Sequence, residues 1–354
     1  MIRSVIVGAG SCIPDARITN EAFDQSEFYE KGIRVTKNNQ EIIHKFREIT
    51  GITERRYATP GQKASDLAHI AAENAIHNAG LDRETIDYII VAHNFGDVAH
   101  ETNRVNLVPS LASRVKALLG IKNPDCVAYD LAFGCPGWLE GLIQANYYIR
   151  SGDAGRCLVI GTETLSRIID PHDRDSMIFS DGSGAVIVEA THNTGRGILS
   201  HKSQTYTEQH VNLLNMEPSC SPLLNHGNLY LKMNGRKVYE FALHYVPVVI
   251  KEALDKAGMD LRSIDKVLIH QANHKMDLAI LERLFKLYGE TDIPEYIMPM
   301  TISWLGNSSV ATIPTLIDLI LEGKIENQSL CEGQKILMAS VGAGMNINAL
   351  IYQY

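Results

Sequence analysis

Three residues of this chain could together carry nucleophilic chemistry: a cysteine, a histidine and an asparagine. Cys135 lies in residues 130–138, where an apolar run typical of a buried strand meets a segment with apolar residues at helical spacing. A thiol at the start of a helix lies near free backbone N–H groups and the positive end of the helix dipole. We therefore expect Cys135 to have a lowered pKa and to act as a nucleophile. Taken alone, it is more simply a small apolar residue at a tight turn.

His270 and Asn307 each follow a feature that α/β proteins use at their sites. His270 comes directly after the apolar run 266–269, at the carboxyl end of a predicted strand, where such folds place catalytic groups. Asn307 follows Gly306 and opens another segment of helical periodicity. Each also has a structural interpretation, a hydrogen-bonded core histidine in one case and a helix N-cap by Asn307 or Ser308 in the other.

Strands alternating with helices must position these residues. Apolar runs predict strands at 2–9, 86–92 and 156–161, and composition predicts helices at 64–79, 109–119 and 233–257. The polar stretch 93–110 is expected to be a long loop that could carry function. We expect the glycine-rich run 179–189 to be a turn leading into a strand, and residues 201–228 to be a polar surface excursion.

An internal sequence repeat indicates that the chain is duplicated. Residues 79–93 match residues 257–271 in pattern, each after an amphipathic helix, and the run 156–161 corresponds to 335–340. Two related halves of alternating strands and helices predict a layered α/β architecture. The boundary is expected within 189–200, giving an N-terminal half, 1–190, and a C-terminal half, 191–354.

The duplication turns three weak signals into one specific combination. If an approximate two-fold relates the halves, the helices after Cys135 and Asn307 both direct their N-termini at a cleft beside His270. A thiolate there can accept an acyl group, while His and Asn donate hydrogen bonds to an enolate or carbonyl oxygen. An oxyanion can be held by the backbone N–H groups of Cys135 and of the glycine loop, Gly342, Ala343 and Gly344. Thioester chemistry is therefore predicted.

Composition excludes several other classes of protein. The 354 residues carry a formal net charge of −8, with no lysine- or arginine-rich block, so nucleic acid is not expected as a partner. No apolar run is long enough to cross a membrane and no signal peptide is recognisable, so we expect a soluble cytoplasmic protein. The six cysteines have no CxxC spacing, which predicts free thiols, no metal site and no cofactor.

With these motifs in place, the chain resembles a β-ketoacyl-ACP synthase III of the thiolase superfamily. The resemblance covers nearly the whole length. It rests on residues 6–14, 50–55, 130–138, 170–174, 233–238, 270–273, 306–309 and 341–344.

The resemblance implies a five-layered, thiolase-like αβαβα fold, a homodimer and a catalytic triad of Cys135, His270 and Asn307. In the usual mechanism of the family an acyl-CoA or acyl-ACP thioester acylates the cysteine. A malonyl thioester, typically malonyl-ACP, then loses carbon dioxide with help from the histidine and asparagine, and its carbanion attacks the acyl-cysteine. The product is a 3-oxoacyl chain for fatty acid, polyketide or other lipid biosynthesis. The substrate-binding positions of the family fall on Asn273, Arg174, Phe179, Met233 and Lys275.

The chain departs from the family at the mouth of the expected substrate tunnel. Lys45 and Ile49 stand where the housekeeping enzymes use a tryptophan and an arginine to hold the CoA nucleotide. Glu240 and Glu282 replace lysines of the surface that receives the acidic carrier protein, where Lys275 keeps its charge. Residues 97–107 resemble an insertion beside the acyl pocket. These departures leave open the acyl primer, the choice between CoA and carrier-protein donors, and the pathway served.

Three other functions remain to be separated from this one. An acyltransferase of the same fold could move an acyl group without decarboxylation, and a scaffold subunit could bind acyl chains without chemistry. Papain-like proteases also combine Cys, His and Asn, but the secretory context and the disulfides expected of them are missing, and the duplicated α/β pattern does not suit them.

Overall fold

The computed structural model describes residues 2–192, 195–224 and 227–354. The strands of this described part are β1 (Ile2–Cys12), β2 (Ala16–Thr19), β3 (Tyr29–Glu30), β4 (Ile33–Arg34), β5 (Glu54–Tyr57), β6 (Tyr88–Ala92), β7 (Asp97–Val98), β8 (Val105–Asn106), β9 (Val127–Leu131), β10 (Arg156–Thr164), β11 (Asp181–His192), β12 (Gly197–Thr205), β13 (Leu214–Glu217), β14 (Tyr230–Met233), β15 (Lys266–Ile269), β16 (Lys335–Gly342) and β17 (Asn346–Gln353). The α-helices are α1 (Asn39–Thr50), α2 (Ala64–Ala79), α3 (Leu111–Leu118), α4 (Gly137–Ser151), α5 (Gly235–Ala257), α6 (His274–Leu287), α7 (Ile302–Leu305) and α8 (Thr312–Leu321).

Two mixed β-sheets form the frame of the molecule. The first has the order β1-β11-β10-β6-β9, and the second has the order β12-β17-β16-β15. In each sheet the inner strands pair in the same way: β10 is parallel to β6 and antiparallel to β11, as β16 is parallel to β15 and antiparallel to β17. The strands of the predicted pair 156–161 and 335–340 therefore occupy equivalent places, as a duplicated chain requires.

Five layers result from how the helices cover these sheets. Apolar residues of α2 and α3 pack on the outer face of the first sheet, and those of α5 and α6 pack on the outer face of the second. Between the sheets lie α4 and α8, whose apolar residues contact strands of both. Because both faces are covered, the central strands are continuous apolar runs rather than alternating ones. The predicted five-layered α/β fold is confirmed.

Close packing of the central helices depends on glycine in the first sheet. A Cβ atom at Gly184 would lie 2.5 Å from the backbone nitrogen of Thr315 in α8. Only a residue without a side chain lets the helix backbone approach the strand so closely. β11 begins at Asp181, so most of the glycine-rich run 179–189 is strand rather than turn.

The prediction of a surface excursion over residues 201–228 is wrong at its beginning. Residues 197–205 form β12, which pairs along its length with β17. Ser200 on this strand donates a hydrogen bond of 2.6 Å to the carbonyl of Ala253 in α5. The strand forms an edge of its sheet and its later residues are half-buried or exposed, so its sequence is polar and resembles a loop. Residues 225 and 226 lie outside the described residues.

The chain passes from the first sheet to the second between His192 and Gly197. Asn193 and Thr194, within the predicted boundary segment, lie outside the described residues. The division into halves 1–190 and 191–354 stays a prediction about domains. The sheets themselves are joined by the helical layer that both halves contribute.

Candidate active site

Cys135 lies where β9 has ended and α4 is about to begin. Pro136 is the N-cap residue of α4, and Gly134 before the cysteine has a φ of 68°, in the left-handed region that favours glycine. Cys135 is half-buried. A Cβ atom at Gly342 would lie 2.7 Å from Cβ and 2.9 Å from Sγ of the cysteine. The second half of the chain thus forms a wall of backbone directly against the thiol.

His270 lies at the end of β15, as predicted, and is only 4% exposed. Its backbone N–H donates to the carbonyl of Ala339 in the neighbouring strand β16, which continues the sheet one residue beyond β15. Burial lowers the pKa of His270 to about 4, and a hydrogen bond with the backbone of Ser309 opposes this. The imidazole is therefore neutral at physiological pH and carries one N–H.

Asn307 is held by the turn that precedes α8. Its Oδ1 accepts a hydrogen bond of 2.8 Å from the backbone N–H of Ser309. This fixes the amide, so that its NH₂ group remains free to donate elsewhere. Asn307 thus caps a short turn ahead of α8, since residues 309–311 form a 3₁₀ turn and α8 begins at Thr312. The N-cap interpretation and a catalytic role are both compatible with this geometry.

Ser309 brings the three predicted residues together. Its N–H donates 2.8 Å to Oδ1 of Asn307, its hydroxyl lowers the pKa of Cys135, and its backbone raises the pKa of His270. Ser309 is buried and has a φ of 54°, which is rare for a residue with a side chain. Local backbone strain of this kind is typical of functional sites. Because one residue contacts all three, Cys135, His270 and Asn307 share a single site.

The expected lowering of the cysteine pKa is wrong. Burial raises the pKa of Cys135 to about 11. The Ser309 hydroxyl and the backbone N–H groups of Cys135 and Ala343 lower it, but they do not compensate for the lost hydration. The thiol therefore rests protonated beside a neutral imidazole, and the thiolate forms only as the reaction proceeds.

Backbone N–H groups from both halves converge on the sulfur. Those of Cys135 and Ala343 form hydrogen bonds with it, and the backbone of Gly134 is in contact with that of Ala343. Gly344 follows with a φ of 76°. The glycine loop thus lies where the sequence predicts it, and its N–H groups are suited to stabilise an oxyanion formed on a thioester of Cys135.

A cleft of about 1200 Å³ leads from the surface to Asn307. Four of the predicted substrate-binding residues line it: Arg174, Met233, Asn273 and Lys275. Asn273 is also the N-cap of α6, since its Oδ1 accepts 2.8 Å from the N–H of Met276.

The fifth predicted substrate residue lies deeper. Phe179 is 5% exposed and packs in an apolar cluster with residues of α1 and of the segment 165–178. Its backbone forms a bridge with Asn307. Phe179 therefore supports the asparagine from behind, and its role as a wall of the acyl pocket stays a prediction.

Two of the residues that depart from the family lie at the cleft. Lys45 and Ile49, both exposed, line its wall on α1. Glu240 does not line the cleft but pairs at 2.9 Å with Arg236, which does. The predicted long loop 93–110 contains a small hairpin of β7 and β8, its end exposes Val108, and it lies outside the cleft lining.

Sequence reasoning missed a polar group behind the cysteine. Glu163 at the end of β10 is 1% exposed, and its Oε1 accepts from the backbone N–H of Asn94 at 2.8 Å and from its side-chain Nδ2 at 2.5 Å. A charged residue inside the otherwise apolar and small run 157–164 was the signal that could have revealed it, because buried carboxylates are rare without a specific partner.

Comparison with known proteins shows the family. The family model for 3-oxoacyl-[acyl-carrier-protein (ACP)] synthase III matches residues 129–207, and the model for its C-terminal part matches residues 254–354. The β-ketoacyl-[acyl-carrier-protein] synthase III of Neisseria meningitidis serogroup B is 33% identical over 350 residues, which cover 99% of this chain and 98% of that protein.

Solved structures give the same result. The 3-oxoacyl-[acyl-carrier-protein] synthase III of Aquifex aeolicus VF5 is 30% identical with a TM-score of 0.79, covering 99% of this chain and 100% of that one. The corresponding synthase of Pseudomonas aeruginosa PAO1 is 26% identical with a TM-score of 0.81, covering 99% and 98%. Fold and matches define an acyl-transferring condensing enzyme of the thiolase-like class. More narrowly, the chain belongs to the β-ketoacyl-[acyl-carrier-protein] synthase III family.

Proposed function

We propose that Cys135 accepts an acyl group from a CoA or carrier-protein thioester. The sulfur attacks the thioester carbonyl, and the N–H groups of Cys135 and Ala343 stabilise the resulting oxyanion. The phosphopantetheine thiol leaves and takes up a proton equivalent to the one that the cysteine loses. The proton lost by Cys135 and the proton gained by the leaving thiol cancel. The thiol of Cys135 can therefore be protonated before the reaction, and no thiolate has to persist in a buried site.

The second step condenses this acyl group with a malonyl thioester. Loss of carbon dioxide leaves an enolate, whose oxygen accepts hydrogen bonds from the neutral His270 and from the NH₂ group of Asn307. The enolate carbon attacks the acyl carbonyl, the bond to sulfur breaks, and a 3-oxoacyl thioester is released. Neutral donors favour this step, since they stabilise the enolate without protonating its carbon.

The single observation that carries the proposal is the contact of Ser309 with all three residues. It fixes Asn307 with its amide nitrogen free, contacts the neutral His270 and donates to Cys135. A nucleophile and two hydrogen-bond donors gathered around one residue match the requirements of acyl transfer followed by enolate formation.

The charge at the mouth of the cleft supports phosphopantetheine thioesters as substrates. Seven cationic side chains line it against three acidic ones, although the whole chain is acidic. The cations are Lys31, Lys37, Lys45, Arg174, Lys232, Arg236 and Lys275. Such a basic entrance favours the phosphates of CoA and the acidic surface of a carrier protein.

Intact-protein mass spectrometry tests the proposal. After incubation with a panel of acyl thioesters, the wild type should gain the mass of one acyl group, which identifies the primer, and Cys135→Ala should gain none. With malonyl thioester added, carbon dioxide and a 3-oxoacyl product should form. Acyl transfer without carbon dioxide would instead indicate a non-decarboxylating acyltransferase, and labelling of the alanine variant would exclude Cys135 as the acceptor.

We further propose that two copies of the chain form a homodimer through the edge of the first sheet. Strand β9 is the last strand of that sheet, so its outer backbone groups are available for pairing. Nearby, the segment before α3 exposes Val105, Leu107 and Val108, the last of them 85% exposed. Exposed apolar residues beside an open strand edge are typical of an interface. Light scattering of the wild type and of Val108→Asp should give the mass of a dimer and of a monomer respectively.

Among the residues that the structure describes, no helix is long and apolar enough to cross a membrane. We propose that the enzyme acts in the cytoplasm, where carrier-protein and CoA thioesters are made. Fractionation of cells that express the tagged chain would test this location.

A further inference from the structure

A chain of hydrogen bonds lies behind the cysteine, and its first two members, Glu163 and Asn94, have no part in the proposed reaction. It begins at Glu163, whose carboxylate accepts both the backbone and side-chain nitrogens of Asn94. Nδ2 of Asn94 also lies 3.3 Å from the hydroxyl oxygen of Ser309. The same hydroxyl is the side-chain group that lowers the pKa of Cys135. The chain thus runs from a buried carboxylate to the nucleophile through two neutral side chains.

The carboxylate of Glu163 determines which atoms donate and which accept along this chain of hydrogen bonds. An ionised carboxylate only accepts hydrogen bonds, so the Asn94 amide must present its nitrogen to Glu163, and a flipped amide would set its oxygen against the carboxylate. One hydrogen of this nitrogen is donated to Glu163, and the other is directed at the Ser309 oxygen. Because that oxygen then accepts, the hydroxyl hydrogen is free to be donated to the sulfur of Cys135.

The hydrogen bond matters more to the thiol than the charge of the carboxylate does. After burial, the Ser309 hydrogen bond has the largest effect on the pKa of Cys135, which it lowers, and the charge of Glu163 raises that pKa by less. The Ser309 hydrogen bond thus offsets part of the cost that burial and the nearby negative charge place on the thiolate.

We propose that Glu163 and Asn94 are positioning residues that orient the Ser309 hydroxyl so that it donates to the sulfur of Cys135. The thiolate is present when the thiol attacks and again when the 3-oxoacyl product leaves, so this donor assists both steps. The inference rests on the proposed role of Cys135 as nucleophile.

Other charged groups face Glu163 and set the pH range in which it is ionised. Burial raises the pKa of Glu163 to about 7, the charge of His93 and the Asn94 bonds lower it, and the charge of Asp181 raises it. Ionised Glu163 enforces the direction of the chain most strongly above neutral pH. The test is therefore made over a pH series rather than at one pH.

The rate at which iodoacetamide alkylates Cys135 measures the orientation without any acyl substrate. Peptide mass spectrometry follows Cys135, and the exposed Cys331 serves as an internal control in the same sample. We expect Ser309→Ala to slow Cys135 alkylation about 10-fold at pH 8, equal to one pKa unit. Asn94→Asp, which replaces the donor by an acceptor, should slow it by a similar factor, because Ser309 then donates away from the sulfur.

Combining the variants distinguishes an effect on the orientation of the Ser309 hydroxyl from a general effect on the folded structure. The double variant Ser309→Ala/Asn94→Asp should react no more slowly than Ser309→Ala, since both act through one hydroxyl. Glu163→Gln should slow alkylation about 3-fold, by about half a pKa unit, and should have no effect when Ser309 is Ala. Asp318→Asn is the matched control, as Asp318 is a buried carboxyl that accepts 2.6 Å from Ser11 away from this chain.

Two results would overturn the inference. If Glu163→Gln accelerates alkylation, the carboxylate acts only through its charge. If the effects of Ser309→Ala and Asn94→Asp add, Asn94 does not act through the serine. Neither result depends on acyl transfer, so failure of the proposed reaction would appear separately, as wild-type protein that is alkylated normally but is never acylated.

Discussion

Two buried histidines follow equivalent strands of the two halves, and their surroundings are opposite. His93 comes directly after β6, and His270 comes directly after β15. Nδ1 of His93 accepts 3.0 Å from the N–H of Gly96, so Nε2 carries the hydrogen and lies 2.9 Å from the carboxylate of Asp130. His270 bonds instead to the backbone of Ser309, and burial lowers its pKa to about 4.

The comparison shows how one residue type serves two purposes. The carboxylate of Asp130 orients the first histidine and compensates any charge on it, so His93 ties β9 to β6. The second histidine pairs with no carboxylate among the described residues and is kept neutral by burial, which suits a hydrogen-bond donor for a transient enolate. The difference between the two sites lies in the carboxylate rather than in the depth of burial, because both histidines are 4% exposed.

The largest expected effect separates the two histidines by activity. His270→Ala should reduce carbon dioxide release from malonyl thioester about 10²–10⁴-fold, a typical range for loss of a positioned catalytic group. Acylation of Cys135 should change far less. His93→Gln is the matched variant, and it should keep decarboxylation within about 10-fold of the wild type. Equal losses in the two variants would contradict the assignment of chemistry to His270 alone.

The second expectation concerns stability below neutral pH. The folded-state pKa of His270 lies below its unfolded value of about 6.5, so the unfolded chain binds a proton first as the pH falls. This group should therefore cost about 3 kcal/mol of unfolding free energy between pH 6.5 and pH 4. Urea titrations at a series of pH values should show a shallower decline for His270→Ala. A slope identical to the wild type would mean that the imidazole titrates normally.

A third expectation concerns Asp130, the carboxylate that pairs with His93. Although burial opposes it, hydrogen bonds from His93 and from the N–H groups of Ala112 and Leu111 hold the pKa of Asp130 below its usual range. Asp130→Asn should lower the unfolding free energy by about 1–3 kcal/mol at pH 7. The difference should begin to shrink below about pH 4, where the carboxyl of the unfolded chain becomes neutral, and it should be lost as the pH falls through the lower pKa of the folded carboxyl. Denaturant melts at pH 7 and pH 3 measure the difference, and a value as large at pH 3 as at pH 7 would point to packing rather than charge.

The smallest effect belongs to a carboxyl of the second half that lacks a cationic partner among the described residues. Asp277 in α6 is fully buried, and burial raises its pKa well above the usual range, opposed by the N–H of Ala272. Above about pH 4 the carboxyl ionises in the unfolded chain but stays neutral in the folded one. The unfolding free energy therefore falls as the pH rises. Asp277→Leu should therefore raise the unfolding free energy by about 1 kcal/mol at pH 8 and by less at pH 4. A gain independent of pH would indicate better packing alone.

Much of this arrangement was predictable from sequence. The helix over 64–79 is observed with the same bounds, and the paired runs 156–161 and 335–340 lie at equivalent places. Cys135, His270 and Asn307 stood out because each follows a strand or a turn that opens a helix. Local periodicity and internal duplication carry this information, since both are properties of neighbouring residues.

What sequence could not supply depends on residues far apart in the chain. The pKa of Cys135 is set by burial against Gly342 and by Ser309, neither of which its own helix reveals. The sequence predicts a surface excursion where β12 lies. Only the pairing of this polar segment with β17 shows that it is a strand. The hydrogen-bond chain from Glu163 likewise spans three separate segments.

The packing of Gly342 against Cys135 also has a consequence for the making of the enzyme. The cysteine leaves the ribosome long before β16 does, so for most of synthesis its sulfur lacks the amide of Ala343 and the wall that Gly342 provides. The oxyanion site is thus completed late, when the second sheet closes over the first half. Acylation assisted by the backbone N–H groups of both halves therefore requires the whole chain.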